Sequence, residues 1–236
     1  MPTATSLWSI DLSLTSSGSN SNNALADSLP QFSGNFWLKW TSSQTNMGIF
    51  IKGETASPGW LFYTDDHGGG FQFQIIYNDL QEYNVQCRGA HNDGLWHSIA
   101  FTYDQNSAGL IYVDGVLQTL LHDFLPSPLV QGFNATQPFV MGVGIEDNPA
   151  LFSLDEVALW NRVLSVDEVR ALAAGNSPSS SGLLSYWRIE EGSGLVLNDS
   201  SGNGNTVTFN DITWDSSVPP PFWQPTYRSS SMNLVF

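Results

Sequence analysis

Residues 95–104 read LWHSIAFTYD and residues 109–115 read GLIYVDG; further on, Phe152–Asn176 reads FSLDEVALWNRVLSVDEVRALAAGN. In the first pair of runs apolar and polar residues alternate, the period of half-buried strands. Asp114-Gly115, before the next apolar residues, is the two-residue signature of a type I′ hairpin turn. The third run begins as a strand and then changes period. Ser165 followed by Glu168 is a capping box, and Gly175 stands where a helix C-terminus needs positive φ. Val166, Val169, Leu172 and Ala173 are expected on one face of that short helix. These stretches predict an all-β body with one helix as an accessory.

Period-2 patterning extends in both directions from this centre. In LWSIDLSL, Trp8, Ile10, Leu12 and Leu14 alternate with Ser9, Asp11 and Ser13; in NFWLKW, Phe36, Leu38 and Trp40 share a face. GIFIK and WLFY are separated by the turn signal GETASPG. FQFQIIY and QEYNVQC read as a hairpin joined at Asn78-Asp79. Residues Leu121–Thr136, with Pro126 and Pro128, read as loop, and PFVMGVG returns to strand. After the connector NSPSSSG come LLSYWRIE, LVLN, TVTF and ITW. From Ser217 the prolines of VPPPFWQP exclude a sheet interior and favour polyproline II. The expected division is a sandwich over 1–216 and an extended arm over 217–236. Phe222, Trp223, Tyr227 and Phe236 are the arm's expected partner-docking residues.

Composition narrows the function classes. The 236 residues carry 7 Lys+Arg against 22 Asp+Glu, a net charge of -15. Binding a phosphate backbone needs clustered cations, and so does an anionic membrane surface. Nucleic acid and membrane insertion are therefore not expected. Cys87 is the one cysteine, so no internal disulfide can form; its place in EYNVQC suggests a small buried residue. The first residues lack the basic and apolar regions of a secretory signal.

On these residues a family resemblance rests. LWHSIAFTYD…GLIYVDG with FSLDEVALWNRVLSVDEVRALAAG resembles the laminin-G-like, concanavalin A-like jelly roll. Residues 182–209, GLLSYWRIEEGSGLVLNDSSGNGNTVTF, are similar to the run that usually opens such a domain, yet here they follow the helix. The motifs are specific for fold and nonspecific for ligand. The resemblance implies an all-β, two-sheet antiparallel jelly-roll sandwich, with one short helix and the extended C-terminal arm, and with ligand loops at its rim.

The same superfamily contains glucanases, so catalysis needs a test. Glycoside hydrolysis requires two carboxylates flanking the scissile bond. Asp155 and Glu156 are adjacent, and in a regular strand adjacent side chains point to opposite faces. Glu190-Glu191 fails in the same way, and no nucleophile–base cluster is visible. No catalytic residue is expected. Trp96-His97 reads as framework, and Asp114 as a turn residue.

Calcium is the one cofactor to carry forward. It takes six to eight oxygen ligands, and Asp199, Asn203 and Asn205 supply oxygens in a Gly-rich loop. The competing reading is a Gly-Asn turn. Asp65-Asp66-His67 is a weaker candidate. For ligand binding, Trp60, Tyr63, Tyr77 and Tyr83 lie near loop ends, where aromatic rings can stack on sugar faces.

The sequence thus points to a non-catalytic recognition or adhesion module, extracellular or on a virion surface, for a glycan or the protein surface of an assembly. A second reading is a structural decoration or fibre-associated subunit of a virus or phage particle, its arm docked on a neighbour or in a homo-oligomer.

Overall fold

The computed structural model of the chain describes residues 8–12, 16–22, 25–27, 29–41, 46–53, 57–65, 69–80, 82–107, 109–124, 137–144 and 151–220. The first strands are β1 (Ser9–Leu12), β2 (Gly18–Asn20), β3 (Gln31–Lys39), β4 (Met47–Lys52), β5 (Gly59–Thr64) and β6 (Phe71–Ile76). Then come β7 (Glu82–Cys87), β8 (His97–Asp104), β9 (Leu110–Val113), β10 (Val116–Leu117), β11 (Leu120–Phe124), β12 (Phe139–Gly144) and β13 (Phe152–Trp160). Helix α1 (Val166–Ala173) precedes β14 (Leu183–Trp187), β15 (Val196–Leu197), β16 (Val207–Phe209) and β17 (Thr213–Asp215).

These strands form two antiparallel sheets. One has the order β10-β9-β8-β3-β13-β1-β17, with β14 also on β13; the other runs β11-β7-β6-β5-β4-β12-β2-β16-β15. The jelly-roll sandwich expected from the sequence is the observed architecture. The strands after the helix return to the chain's beginning: Val207 pairs with Asn20, and Asp215 with Ser9. That is how residues 182–215, placed after the helix, still extend both sheets.

The core lies between the sheets and is dense in aromatic rings. Phe32, Phe73, Phe101 and Trp60 meet at centroid distances of 5.1–6.4 Å. Edge-to-face and offset contacts of this kind add to the burial term. Gly34 on β3 makes room for this cluster, because a Cβ there would lie 2.6 Å from Phe101 Cζ and 3.1 Å from Leu159 Cδ2. Cys87 is buried in the core, and burial pushes its thiol up to about 11, as expected for a packing residue.

Local signals in the sequence have their expected outcomes at several points. Asp114 and Gly115 both have positive φ, 51° and 75°, between the paired strands β9 and β10. Helix α1 has the full capping box between Ser165 and Glu168. It ends in a Schellman arrangement, with Gly175 N donating to Leu172 O and Asn176 N to Ala171 O. The β6–β7 hairpin turns at Asn78-Asp79.

Three expectations need correction. Residues 121–124, expected as loop, belong to strand β11, paired with β7; the backbone of an edge strand needs only one partner, so the approaching prolines do not prevent it. Val166 is 42% exposed, and only Val169 and Leu172 of the helix are buried. Finally, β13 carries a bulge between Asp155 and Ala158, opposite Trp37 and Asn35 of β3. Leu154 and Val157 both enter the core, while Ala158 and Trp160 belong to the helix-covered cluster. The extra residue puts Asp155 and Glu156 on the same outer face instead of opposite ones.

Candidate functional site

The outer face of the nine-stranded sheet is built by the alternation that builds the core. Along β6, Phe71, Phe73 and Ile75 enter the core, so Gln72, Gln74 and Ile76 point away. Along β7, Tyr83, Val85 and Cys87 enter, so Glu82, Asn84 and Gln86 point away. On β5, Trp60 and Phe62 enter, and Leu61 and Tyr63 point away.

Register then assembles a row. Gln72 lies opposite Gln86 on one side and Tyr63 on the other; Gln74 lies opposite Asn84 and Leu61. Gln86 Nε2 donates to Gln72 Oε1 at 2.8 Å, and Gln72 Nε2 donates to Asn84 Oδ1 at 3.1 Å. Gln74 Nε2 donates to Glu82 Oε2 at 3.0 Å. Beside these amides Ile51, Leu61 and Ile76 form a satellite apolar cluster, with half-buried Tyr63 packed on it. Each side-chain amide offers two donors and a carbonyl with two lone pairs, and the ladder uses only part of that capacity. A held row of amides beside an aromatic ring suits a neutral, hydroxyl-rich ligand. Gln72, Gln74, Asn84 and Gln86 were not singled out in the sequence. The signal was there: the turn at Asn78-Asp79 sets a register that faces FQFQ with NVQ.

The four aromatic residues expected to make a platform do not come together at the surface. Trp60 is 0% exposed, and its Nε1 donates to Ala26 O at 3.0 Å. Tyr77 and Tyr103 join hydroxyls at 3.2 Å in the interior. Tyr83 is buried, and its hydroxyl accepts from Gly109 N; burial pushes that phenol up to about 12. Only Tyr63 points outward. The other three occupy inward positions of their alternating runs, where a large ring contributes most by packing.

The glycine-rich loop expected to hold calcium is organised by its own carboxylate. Asp199 Oδ1 accepts from Tyr186 N and Ser201 N, both at 2.9 Å; Oδ2 accepts from Asn205 N at 2.9 Å and Ser201 Oγ at 2.8 Å. Partial burial alone would raise this carboxyl, but those four hydrogen bonds hold it below its ordinary range. Asn203 Nδ2 donates to Leu183 O and Leu184 O, and Asn205 Oδ1 accepts from Asn22 Nδ2. A cation requires lone pairs, and on Asp199 hydrogen donors already occupy them. The residues do not fit a calcium ion in this conformation. The second candidate, with Asp66 and His67, lies outside the described residues, as do Phe222, Trp223, Tyr227 and Phe236 of the arm.

His97 is framework, as expected. Its Nδ1 meets Asp114 Oδ2 at 2.8 Å and its Nε2 meets Asp93 Oδ1 at 3.2 Å. The bond to Asp114 raises its pKa in spite of partial burial. The arm's root is also fixed: Ser217 O accepts from Ser9 Oγ at 2.9 Å, and Ser217 Oγ accepts from Lys39 Nζ at 3.0 Å and Trp96 Nε1 at 3.3 Å.

A family profile described as the concanavalin A-like lectin/glucanases superfamily, in its third laminin-G group, matches residues 15–170. The chain belongs to this superfamily. Among solved structures, a candidate carbohydrate binding protein from Bacteroides ovatus superposes with a TM-score of 0.67 at 21% identity, covering 90% of this chain and 60% of that one. The botulinum neurotoxin serotype G binding domain superposes with a TM-score of 0.52 at 18% identity, covering 66% of this chain and 39% of that one. A curated relative, actin-related protein 2/3 complex subunit 1B of Arabidopsis thaliana, is 28% identical over 122 residues, 50% of this chain and 32% of that protein. The chain thus spans less than two thirds of each of these relatives, and the structural likenesses show the fold. No described helix is long and apolar enough to cross a membrane.

Proposed function

We propose that this lectin-like chain is a non-catalytic binding module that takes a neutral glycan on the outer face of its nine-stranded sheet. The observation that carries the reading is the hydrogen-bonded amide row Gln86–Gln72–Asn84 beside Tyr63. The amides would read hydroxyl groups, and the Tyr63 ring with Leu61 would meet the apolar face of a sugar. The carbohydrate-binding description of the Bacteroides neighbour and the binding-domain description of the toxin neighbour support the same class. Modules of this superfamily usually work outside the cell or on exposed surfaces.

The test is a glycan array followed by titration of the best hit. Gln86→Ala and Tyr63→Ala should each weaken binding about tenfold or more. Binding that is unaffected by both variants would remove the face from the account.

The fixed root at Ser217 supports a second, compatible reading. An aromatic arm leaving an anchored point can dock on a neighbouring subunit of a particle, through Phe222, Trp223, Tyr227 and Phe236. Loss of particle association on truncation after Pro220, with the sandwich still folded, is the expected result.

A further inference from the structure

The amide ladder on the outer face of the nine-stranded sheet has a direction. Gln86 donates to Gln72, and Gln72 donates to Asn84. Gln72 is 8% exposed, so it is the fixed middle of the row. The ladder therefore leaves over different groups at its two ends. At Gln86 it leaves the carbonyl Oε1, an acceptor; at Asn84 it leaves the hydrogens of Nδ2, donors. Neither atom has a partner among the described residues. Both residues are half-buried, and neither atom is sealed from solvent.

Spacing selects what can join those ends. Asn84 and Gln86 are alternate residues of β7, about 7 Å apart along the strand. One hydroxyl oxygen bonded to both would span only about 5–6 Å. A planar amide adds its own length between an N–H and a C=O that point in opposite directions. It therefore meets an acceptor at one end and a donor at the other.

The neighbouring strands supply the chemistry on either side. Leu121 of β11 is the Cα partner of Gln86 and so stands on the same face. It is 38% exposed, an apolar contact beside the amides. On the other side Gln72 leads to Tyr63 of β5. Two strand spacings, about 9–10 Å, separate β7 from β5, which is room for a sugar ring. Two vicinal hydroxyls also span the gap, but they leave polar oxygens against Leu121, whereas the methyl of an acetyl group gains from that contact. Glu82 is exposed on the same strand, in a chain of net charge -15, and this disfavours an anionic sugar.

We propose that the unit read by this face is an uncharged N-acetylated amino sugar. Its acetamido N–H donates to Gln86 Oε1, its carbonyl accepts from Asn84 Nδ2, its methyl rests on Leu121 and its ring lies toward Tyr63. The inference rests on the glycan reading of the same face and names the sugar class within it.

The test titrates N-acetylglucosamine beside glucose, and N-acetylgalactosamine beside galactose, into the intact chain and follows the side-chain amide resonances of Asn84 and Gln86. At least one acetamido sugar should bind about tenfold or more tightly than its hydroxyl counterpart and shift both resonances. Asn84→Asp keeps an acceptor for Gln72 and removes the donor, and should bring the acetamido sugar down to its counterpart's affinity. Leu121→Ala should weaken acetamido binding about threefold or more. Leu117→Ala, exposed on the other sheet, should change nothing. Each variant is checked by melting. No preference in either sugar pair, or a preference that survives Asn84→Asp, would overturn the proposal. If sugars without an acetyl group bind in a Gln86- and Tyr63-dependent way, the sugar class alone has failed; if no glycan binds this face, the glycan reading fails with it.

Discussion

Tyr186 donates its phenolic hydrogen to Glu156 Oε2, the side chain that the β13 bulge turns toward the helix-covered face. Glu156 is 5% exposed, adopts φ +51°, and its Oε1 has no hydrogen-bond partner among the described residues. Burial pushes its carboxyl up to about 7, against the opposing effects of the Tyr186 bond and Arg188, while Glu190 adds to the rise. A buried carboxyl of this kind folds best when protonated.

The pH dependence follows with a definite sign. Between about 4.5 and 7 the folded chain holds a proton that the unfolded chain has lost. The stabilisation is complete below the unfolded value and is lost as pH rises through about 7. The interval corresponds to about 3 kcal/mol. Glu156→Gln keeps an acceptor for Tyr186 and carries no charge. Denaturant melts should show it more stable than the parent at about pH 8, with a flattened slope across the interval. An unchanged slope would mean that Glu156 does not titrate as its burial requires.

Glu168 acts in the opposite direction. Hydrogen bonding to Arg162, with further bonds from Ser165, lowers its carboxyl to about 2 despite partial burial. Its contribution is present above its unfolded value and lost as pH falls through about 2. Glu168→Ala removes the side-chain half of the capping box and the Arg162 contact, while Ser165 still caps the helix, and should cost about 1–2 kcal/mol at neutral pH. Loss of that difference in strong acid checks the assignment.

The Asp199 loop should be held by its carboxylate and not by a cation. Asp199→Asn replaces an acceptor-only group facing four donors by one that carries N–H groups of its own. A loss of about 2–3 kcal/mol is expected. The parent's melting temperature should be the same with calcium and with a chelator, and a clear fall on chelation would contradict the turn reading.

Gly34→Ala tests the packing of β3 on the aromatic core. The added methyl would displace Phe101 or Leu159, and overpacking of this kind costs about 1–3 kcal/mol. A neutral effect would mean that the core is looser than its ring contacts indicate.

Much of this fold was legible because its signals are local. Alternation located the strands around Phe36, Phe101 and Val113, and Asp114-Gly115 and Ser165–Glu168 fixed a turn and a helix start. The bulge at Asp155–Glu156 was not legible, since one inserted residue reverses the face of everything on one side of it without a change in composition. The rings of Trp60, Tyr77 and Tyr83 misled for a related reason. Aromatic residues serve cores and sugar platforms equally, and only the phase of the strand decides between them. The amide row needed pairing between strands, which a reading along one strand at a time does not supply.

The most direct test of the central claim is titration of the best array glycan into the parent chain, Gln86→Ala and Tyr63→Ala, each confirmed folded by melting. The account predicts measurable binding by the parent and a loss of about tenfold or more in each variant. Equal affinities in all three would contradict it.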